Sequence, residues 1–264
     1  PAPAAPRAGS TPLENEFYTV SFDPQSGAVT RLRDRQLDRE LLDPAAAHQF
    51  NQLVWVSRKT GESREGADYA PRPGATFVHR SGPVADELIA TYQDSRLGGA
   101  TVTQTVRLYA GLKRLDVEND LRHVGVMSSP RSSDRYRQNI FYAFPFQVEN
   151  FTARAEYAGG VVRPYEDQLR WGSHDYLCAN RWVEVAGPNL GVTLAPHHAP
   201  IVHFGGIRYN EFSTDHRPAG SHLYSYAWSN RMDGLATLAP DDMNTRRSFT
   251  SVASATTSSP PTTG

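Results

Sequence analysis

Short extended segments with period-two alternation recur along the chain from Phe17 onward, and turn signals break them about every ten residues. FYTVSFDPQSGAVTRLRD (17–34) sets the pattern, with Phe17, Thr19 and Ser21 on one face and Tyr18, Val20 and Phe22 on the other. Asp23-Pro24 opens a turn, Gly27 supplies a positive φ, and Val29 and Leu32 resume the extended run, which predicts a hairpin. Further strands are predicted at QLVWV (52–56), ATFVHR (75–80), DELIATYQ (86–93), TVTQTVRLYA (101–110) and RLDVENDLRHV (114–124). QNIFYAFPFQV (138–148), RWVEV (181–185), GVTLA (191–195), PIVHF (200–204) and HLYSYAW (222–228) complete the set.

Only DRQLDRELLD (34–43) and the AAAH after it (45–48) read as helical, and both are short. Strand therefore follows strand, which excludes a doubly wound sheet and a (β/α) barrel and leaves an antiparallel sandwich or barrel. The 264 residues suit one large all-β domain or two small ones. About ten to fifteen strands are expected on ordinary strand and loop lengths, more than an immunoglobulin-sized sandwich uses. A large two-sheet antiparallel sandwich is the expected fold.

The ends differ from this body. Residues 1–12 are Pro/Ala-rich and SVASATTSSPPTTG (251–264) is small and polar, so neither buries enough apolar area to offset ordering entropy. The expected organisation is a flexible linker (1–12), a β-sandwich domain (13–250) and a flexible Ser/Thr/Pro tail (251–264). The first residue is not Met, which is the expectation for an excerpt or a processed product.

Charge narrows the partners. Lys+Arg 27 against Asp+Glu 28, with no block of like charges, argues against nucleic acid. No apolar run approaches the roughly 18 to 20 residues that span a bilayer, and PAPAAPRAGS lacks the apolar core of a signal peptide, so no membrane partner is expected. With a single cysteine, Cys178, the chain forms no internal disulfide, and that residue is expected to be a small core residue.

The residues that carry chemistry are sparse. His197-His198 point to opposite faces if they lie on a strand, and His174-Asp175, His203 and Asp215-His216 match no metal-binding spacing. Glu166-Asp167, adjacent in a Pro-containing loop, read as solvated or capping groups, and Glu14 with Glu16 share a predicted strand face. No G-x-S-x-G elbow, P-loop or G-x-G-x-x-G fingerprint occurs, and Gly159-Gly160 and Gly205-Gly206 read as bends. What remains is a set rich in aromatic and guanidinium groups: Trp171, Tyr176, Arg181, Trp182, Tyr209, Phe212, Tyr224, Tyr226 and Trp228. Such groups stack on sugar C–H faces and hydrogen-bond vicinal hydroxyls, but on strands they also serve as packing.

LENEFYTVSFDPQSGAVTRLRDRQLDRELLD (13–43) resembles the opening of the C-terminal β-domain of glycoside hydrolase family 38, the zinc-dependent α-mannosidases. FNQLVWV, DELIATY, TQTVRLYAGLKRLDVENDL, NIFYAFPFQVEN, GGVVRPYEDQL, NRWVEV, GVTLAPHHAPIVHFGGI and HLYSYAWSN continue the resemblance in family order to residue 230. The sequence departs from the family at Pro196-His197-His198-Ala199-Pro200, where a Leu-Asp-Ala-Pro-like turn is usual, and after Asn230.

The resemblance implies a galactose mutarotase-like β-supersandwich that follows a catalytic N-terminal domain of the same polypeptide. It implies that zinc and the catalytic carboxylates belong to that domain, so this chain holds no cofactor and no catalytic residue of its own. The chain would brace the catalytic domain and bound its pocket for a mannose-containing glycan, with Arg163, Glu166, Asp167, Arg181, Trp182 and Trp228 as the candidates. The alternative is a free-standing mutarotase-like sugar-binding protein or aldose epimerase, with His174 as acid and Glu166 or Glu211 as base.

Overall fold

The computed structural model describes residues 10–59, 67–69, 74–94, 97, 99–124, 136–169, 171–208, 214–229 and 247–256. In chain order the strands are β1 (Leu13–Glu14), β2 (Tyr18–Phe22), β3 (Val29–Asp34), β4 (Arg39–Glu40), β5 (Leu53–Lys59) and β6 (Ala67–Tyr69). There follow β7 (Thr76–Ser81), β8 (Ala85–Asp94), β9 (Ala100–Tyr109), β10 (Leu115–Arg122), β11 (Tyr136–Phe144), β12 (Thr152–Tyr157) and β13 (Gly160–Val162). The last are β14 (Leu177–Cys178), β15 (Val183–Ala186), β16 (Gly191–Pro196), β17 (Ile201–Phe204), β18 (Leu223–Ser229) and β19 (Arg247–Thr256).

These strands form a nine-stranded sheet, β13-β12-β15-β16-β19-β10-β9-β8-β7, and a six-stranded sheet, β14-β17-β18-β11-β5-β6. A small third sheet, β1-β2-β3-β4, joins them, and every strand pair given a register is antiparallel. The expected antiparallel supersandwich is therefore present, with one small sheet beyond the two foreseen.

Alternation explains the layers. In β9 the side chains of Ala100, Val102, Gln104, Val106 and Leu108 are buried while those between them are half-exposed. One continuous core takes Leu88, Val102, Val117, Val183 and Leu194 from the nine-stranded sheet and Leu53, Ile140, Phe144, Val202 and Leu223 from the six-stranded sheet, with Tyr18, Val20 and Leu32 from the small one. Its polar centre is a set of amides. Asn51 and Asn119 exchange hydrogen bonds at 3.1 and 2.7 Å, and Gln104 Nε2 donates to the Asn51 carbonyl at 2.6 Å. All three are buried, so each amide finds its partner within the core. The six-stranded sheet also buries its second face, through Val54, Val56, Phe141, Ala143 and Tyr224.

Three expectations are corrected. DRQLDRELLD is no helix: Asp34 ends β3 and its Oδ1 accepts from the Gln36 and Leu37 amides at 2.9 and 3.0 Å. Asp38 then turns the chain at φ 51° into β4. An aspartate that captures backbone donors in a turn removes the reason to form a helix there. AAAH is turn and bend as well. Second, residues 251–256 of the expected tail are the end of β19 in the large sheet, paired with β16 throughout and at 251–253 with β10 as well. Third, Cys178 is exposed on β14, because an edge strand of two residues leaves one side chain outside.

Candidate functional site

The stretch from β12 to β14 builds the β13 edge of the large sheet and passes to the β14 edge of the six-stranded one. Ala158 and Gly159, at φ 39° and 92°, form a two-residue turn that returns β12 as β13, the outermost strand. Two positive φ values in succession match the right-handed twist of the paired strands. The loop that leaves β13 is drawn together by Arg163. Its guanidinium lies 2.9 Å from both Glu166 Oε2 and Asp167 Oδ1, and its backbone N–H donates to Asp167 Oδ2 at 2.8 Å. These bonds hold the Asp167 carboxyl below the usual carboxylate range. Arg163, Glu166 and Asp167 are thus brought together, as charges that satisfy one another.

Arg181 lies on the bend between β14 and β15. Its Nε donates to both oxygens of Glu156 at 2.9 and 2.7 Å, which lowers the Glu156 carboxyl. Glu156 was not among the sequence candidates, and only the register between β12 and β15 brings it to Arg181. Trp182 is half-buried, with its carbonyl accepting from the Glu156 amide at 3.0 Å. Trp228 stands apart on β18 of the other sheet, opposite Ile140, packed on the core. The candidates therefore make two exposed ion-pair clusters, a half-buried Trp182 and a core-packed Trp228 rather than one pocket.

Apolar exposure concentrates on the same border. Of the eight exposed large apolar side chains among the described residues, five lie between 157 and 176: Tyr157, Val161, Leu169, Trp171 and Tyr176. Leu169 is 85% and Trp171 76% exposed, far from the usual state of such side chains.

Behind this border lies a buried aromatic and imidazole cluster. Tyr165, itself buried, meets the rings of His174, Phe204 and His216 edge-on, with centroids 5.9, 5.8 and 5.4 Å away. His174 is buried with both ring nitrogens unbonded, while Glu166 is tied to Arg163 at the surface, so the acid–base pair of the epimerase alternative is not assembled from these two. Glu211, Tyr209 and Phe212 lie outside the described residues. His203 is buried against Phe141 and Tyr226, and burial pushes its pKa down to about 3 despite the nearby Asp175. Tyr224 and Tyr226 pack on the second face of the six-stranded sheet.

The remaining acids and histidines are dispersed. Glu16 accepts from the Gly111 amide at 2.8 Å, past the end of β1 that carries Glu14, and His197 and His198 are exposed on a bend. Among the described residues, no three His, Cys, Asp or Glu side chains are placed to hold a metal ion. The zinc of the mannosidases therefore has no fitting ligand set in what is described.

The family model of the glycosyl hydrolases family 38 C-terminal domain matches residues 13–200. The chain belongs to that family. The match stops short of residue 230, where the sequence resemblance ran. An α-mannosidase from Enterococcus faecalis V583 superposes with a TM-score of 0.63 at 14% identity, over 94% of this chain and 29% of that one. A family 38 protein from Enterococcus faecalis gives 0.61 at 14% identity, over 94% and 30%. A galactose mutarotase-like protein from Lactobacillus casei ATCC 334 gives 0.51 at 11% identity, over 94% of this chain and 100% of that one. No curated protein sequence matches the chain. At these identities the superpositions speak for the shared supersandwich, and this family 38 domain spans less than a third of the mannosidase chain.

Proposed function

We propose that this domain serves a family 38 glycosidase that hydrolyses mannose-containing glycans, with catalysis carried by a separate catalytic domain of the same polypeptide. The observation that carries the reading is the family match over residues 13–200. The 29% share of the Enterococcus α-mannosidase chain supports a division of labour, because most of that polypeptide lies outside the shared fold.

The β12–β14 border is the face assigned to that partner. Its charges are already paired as Arg163 with Glu166 and Asp167, and Arg181 with Glu156, while Leu169 and Trp171 are largely exposed. Apolar side chains rimmed by paired charges suit docking against another protein surface. Bracing is the role these contacts favour over direct sugar recognition, since the guanidiniums and carboxylates spend their hydrogen bonds on each other. Zinc and the carboxylates of a retaining mechanism are assigned to the catalytic domain.

The test is hydrolysis of an aryl α-mannoside with added zinc. The 264-residue chain is expected to be inactive and the longer polypeptide that includes an upstream catalytic domain active. Turnover by the 264-residue chain alone, or aldose mutarotation catalysed by it, would overturn the assignment.

A further inference from the structure

Away from that border, the β2–β3 turn and the segment from Leu42 to Gln52 enclose a cleft of about 550 Å³. Its two walls are fixed. Gly27, at φ 74°, lets the turn sit where a Cβ would lie 2.3 Å from Ala90 Cβ, and the Gln25 carbonyl accepts from the Ala75 amide at 3.0 Å. On the other wall Asp43 N–H donates to the Pro145 carbonyl at 2.9 Å, and Asp43 Oδ2 lies 2.9 Å from His222 Nε2. Val29 and Phe50 bridge the two walls at the floor.

Polar groups converge on this space without partners. The side-chain amides of Gln25 and Gln49 make no hydrogen bond among the described residues, and Gln52 uses only its Oε1, to accept from the Gln49 amide at 2.7 Å. Asp23 spends Oδ1 on the Gln25 and Ser26 amides at 2.7 and 2.8 Å and keeps Oδ2 free. Glutamines on open surface simply bind water. Three of them with a carboxylate around one rigid concavity present a fixed array of donors and acceptors above an apolar floor.

The chemistry of that array selects the ligand. No lysine or arginine lines the cleft and two aspartates do, which disfavours phosphate and other anions. A divalent cation would need a third carboxylate or imidazole, and no such trio exists among the described residues. A primary amide donates and accepts at once, as a sugar hydroxyl does, and the volume suits one or two pyranose rings. We infer that this cleft is a binding site for a neutral saccharide, apart from the β12–β14 border. The inference does not depend on the mannosidase assignment.

Side-chain amide resonances give a direct readout. The 264-residue chain, labelled with ¹⁵N, is titrated with methyl α-mannoside, methyl β-glucoside, methyl β-galactoside and, as a control, inorganic phosphate. Saturable shifts of the Gln25, Gln49 and Gln52 NH₂ pairs with at least one glycoside, at a Kd of roughly millimolar order, and none with phosphate, are expected. The double variant Gln25→Ala/Gln49→Ala should lose about tenfold or more in affinity with an unchanged melting temperature, because neither side chain hydrogen-bonds among the described residues. Absence of saturable shifts with all three glycosides, shifts confined to other surfaces, or undiminished affinity in the double variant would each overturn the site. Binding of a glucoside or galactoside but not the mannoside upholds the cleft and leaves the mannosidase assignment untouched.

Discussion

His203 shows how a single side chain can set the acid limit of the domain. Its ring is buried between Phe141 and Tyr226 with Tyr176 outside, and its Nδ1 accepts from the Arg208 amide at 3.2 Å. Burial lowers its pKa to about 3, with Asp175 the one charge that counters the shift. Above the ordinary value of about 6.5 the imidazole is neutral folded or unfolded, so pH has no leverage through it. As pH falls below that value the unfolded chain takes up the proton and the native chain does not, so stability is lost until the folded pKa is reached. Between pH 7 and 4.5 this loss should come to ~2 kcal/mol. His203→Asn keeps an acceptor and cannot be protonated. Urea unfolding at the two pH values should therefore show a smaller drop for the variant, and equal drops would mean that His203 takes up its proton in the native state. The strand PIVHF was legible in the sequence, but the depression was not. Alternation says which residues share a face, and only the tertiary fold says that the second face of the six-stranded sheet is covered.

Strand β19 carries the same lesson at the scale of an element. Its sequence, RSFTSVASAT, contains few large apolar residues, so its composition alone argues for a tail. It is ordered by its neighbours. Residues 247–253 pair with β10 and 251–256 with β16, so both edges of the strand are satisfied by ladders that composition does not encode. The long alternating segments β8, β9 and β10 were legible because each carries its own apolar face, whereas β12 and β13 were missed because TARAEY and GVV are short and their face is half-open. The helix expected over 34–43 failed for a local reason, since period alone cannot weigh an aspartate that caps a turn. Ending the chain at residue 246 removes the strand that joins the two halves of the nine-stranded sheet. Such a chain should lose its cooperative thermal transition by circular dichroism, while one ending at Thr256 should keep it. A cooperative melt at the same temperature in both would show that β16 and β10 do not need β19 between them.

On the scale of the whole molecule, the fold separates what holds the domain together from what it offers to others. Its core runs unbroken through three sheets, and the candidate Trp228 packs on it from β18. The loop that leaves β13 buries Tyr165 in that core but places Leu169 and Trp171 in solvent beside self-paired charges. Family resemblance pointed to this border as a candidate partner face, but its apolar exposure was not legible, because sequence cannot tell an inward tryptophan from an outward one. Leu169→Ser with Trp171→Ser removes two largely exposed apolar side chains, so the 264-residue chain should melt within a degree or two of the wild type. In the longer polypeptide the same pair should lower the melting temperature by several degrees and speed proteolysis at the domain junction, with KM for an aryl mannoside unchanged. A rise in KM with undiminished stability would instead assign the loop to the sugar pocket. Arg181→Ala divides the outcomes in the same way, since it frees Glu156 at the border without touching the core. Loss of stability at unchanged turnover per folded molecule is the result that bracing requires.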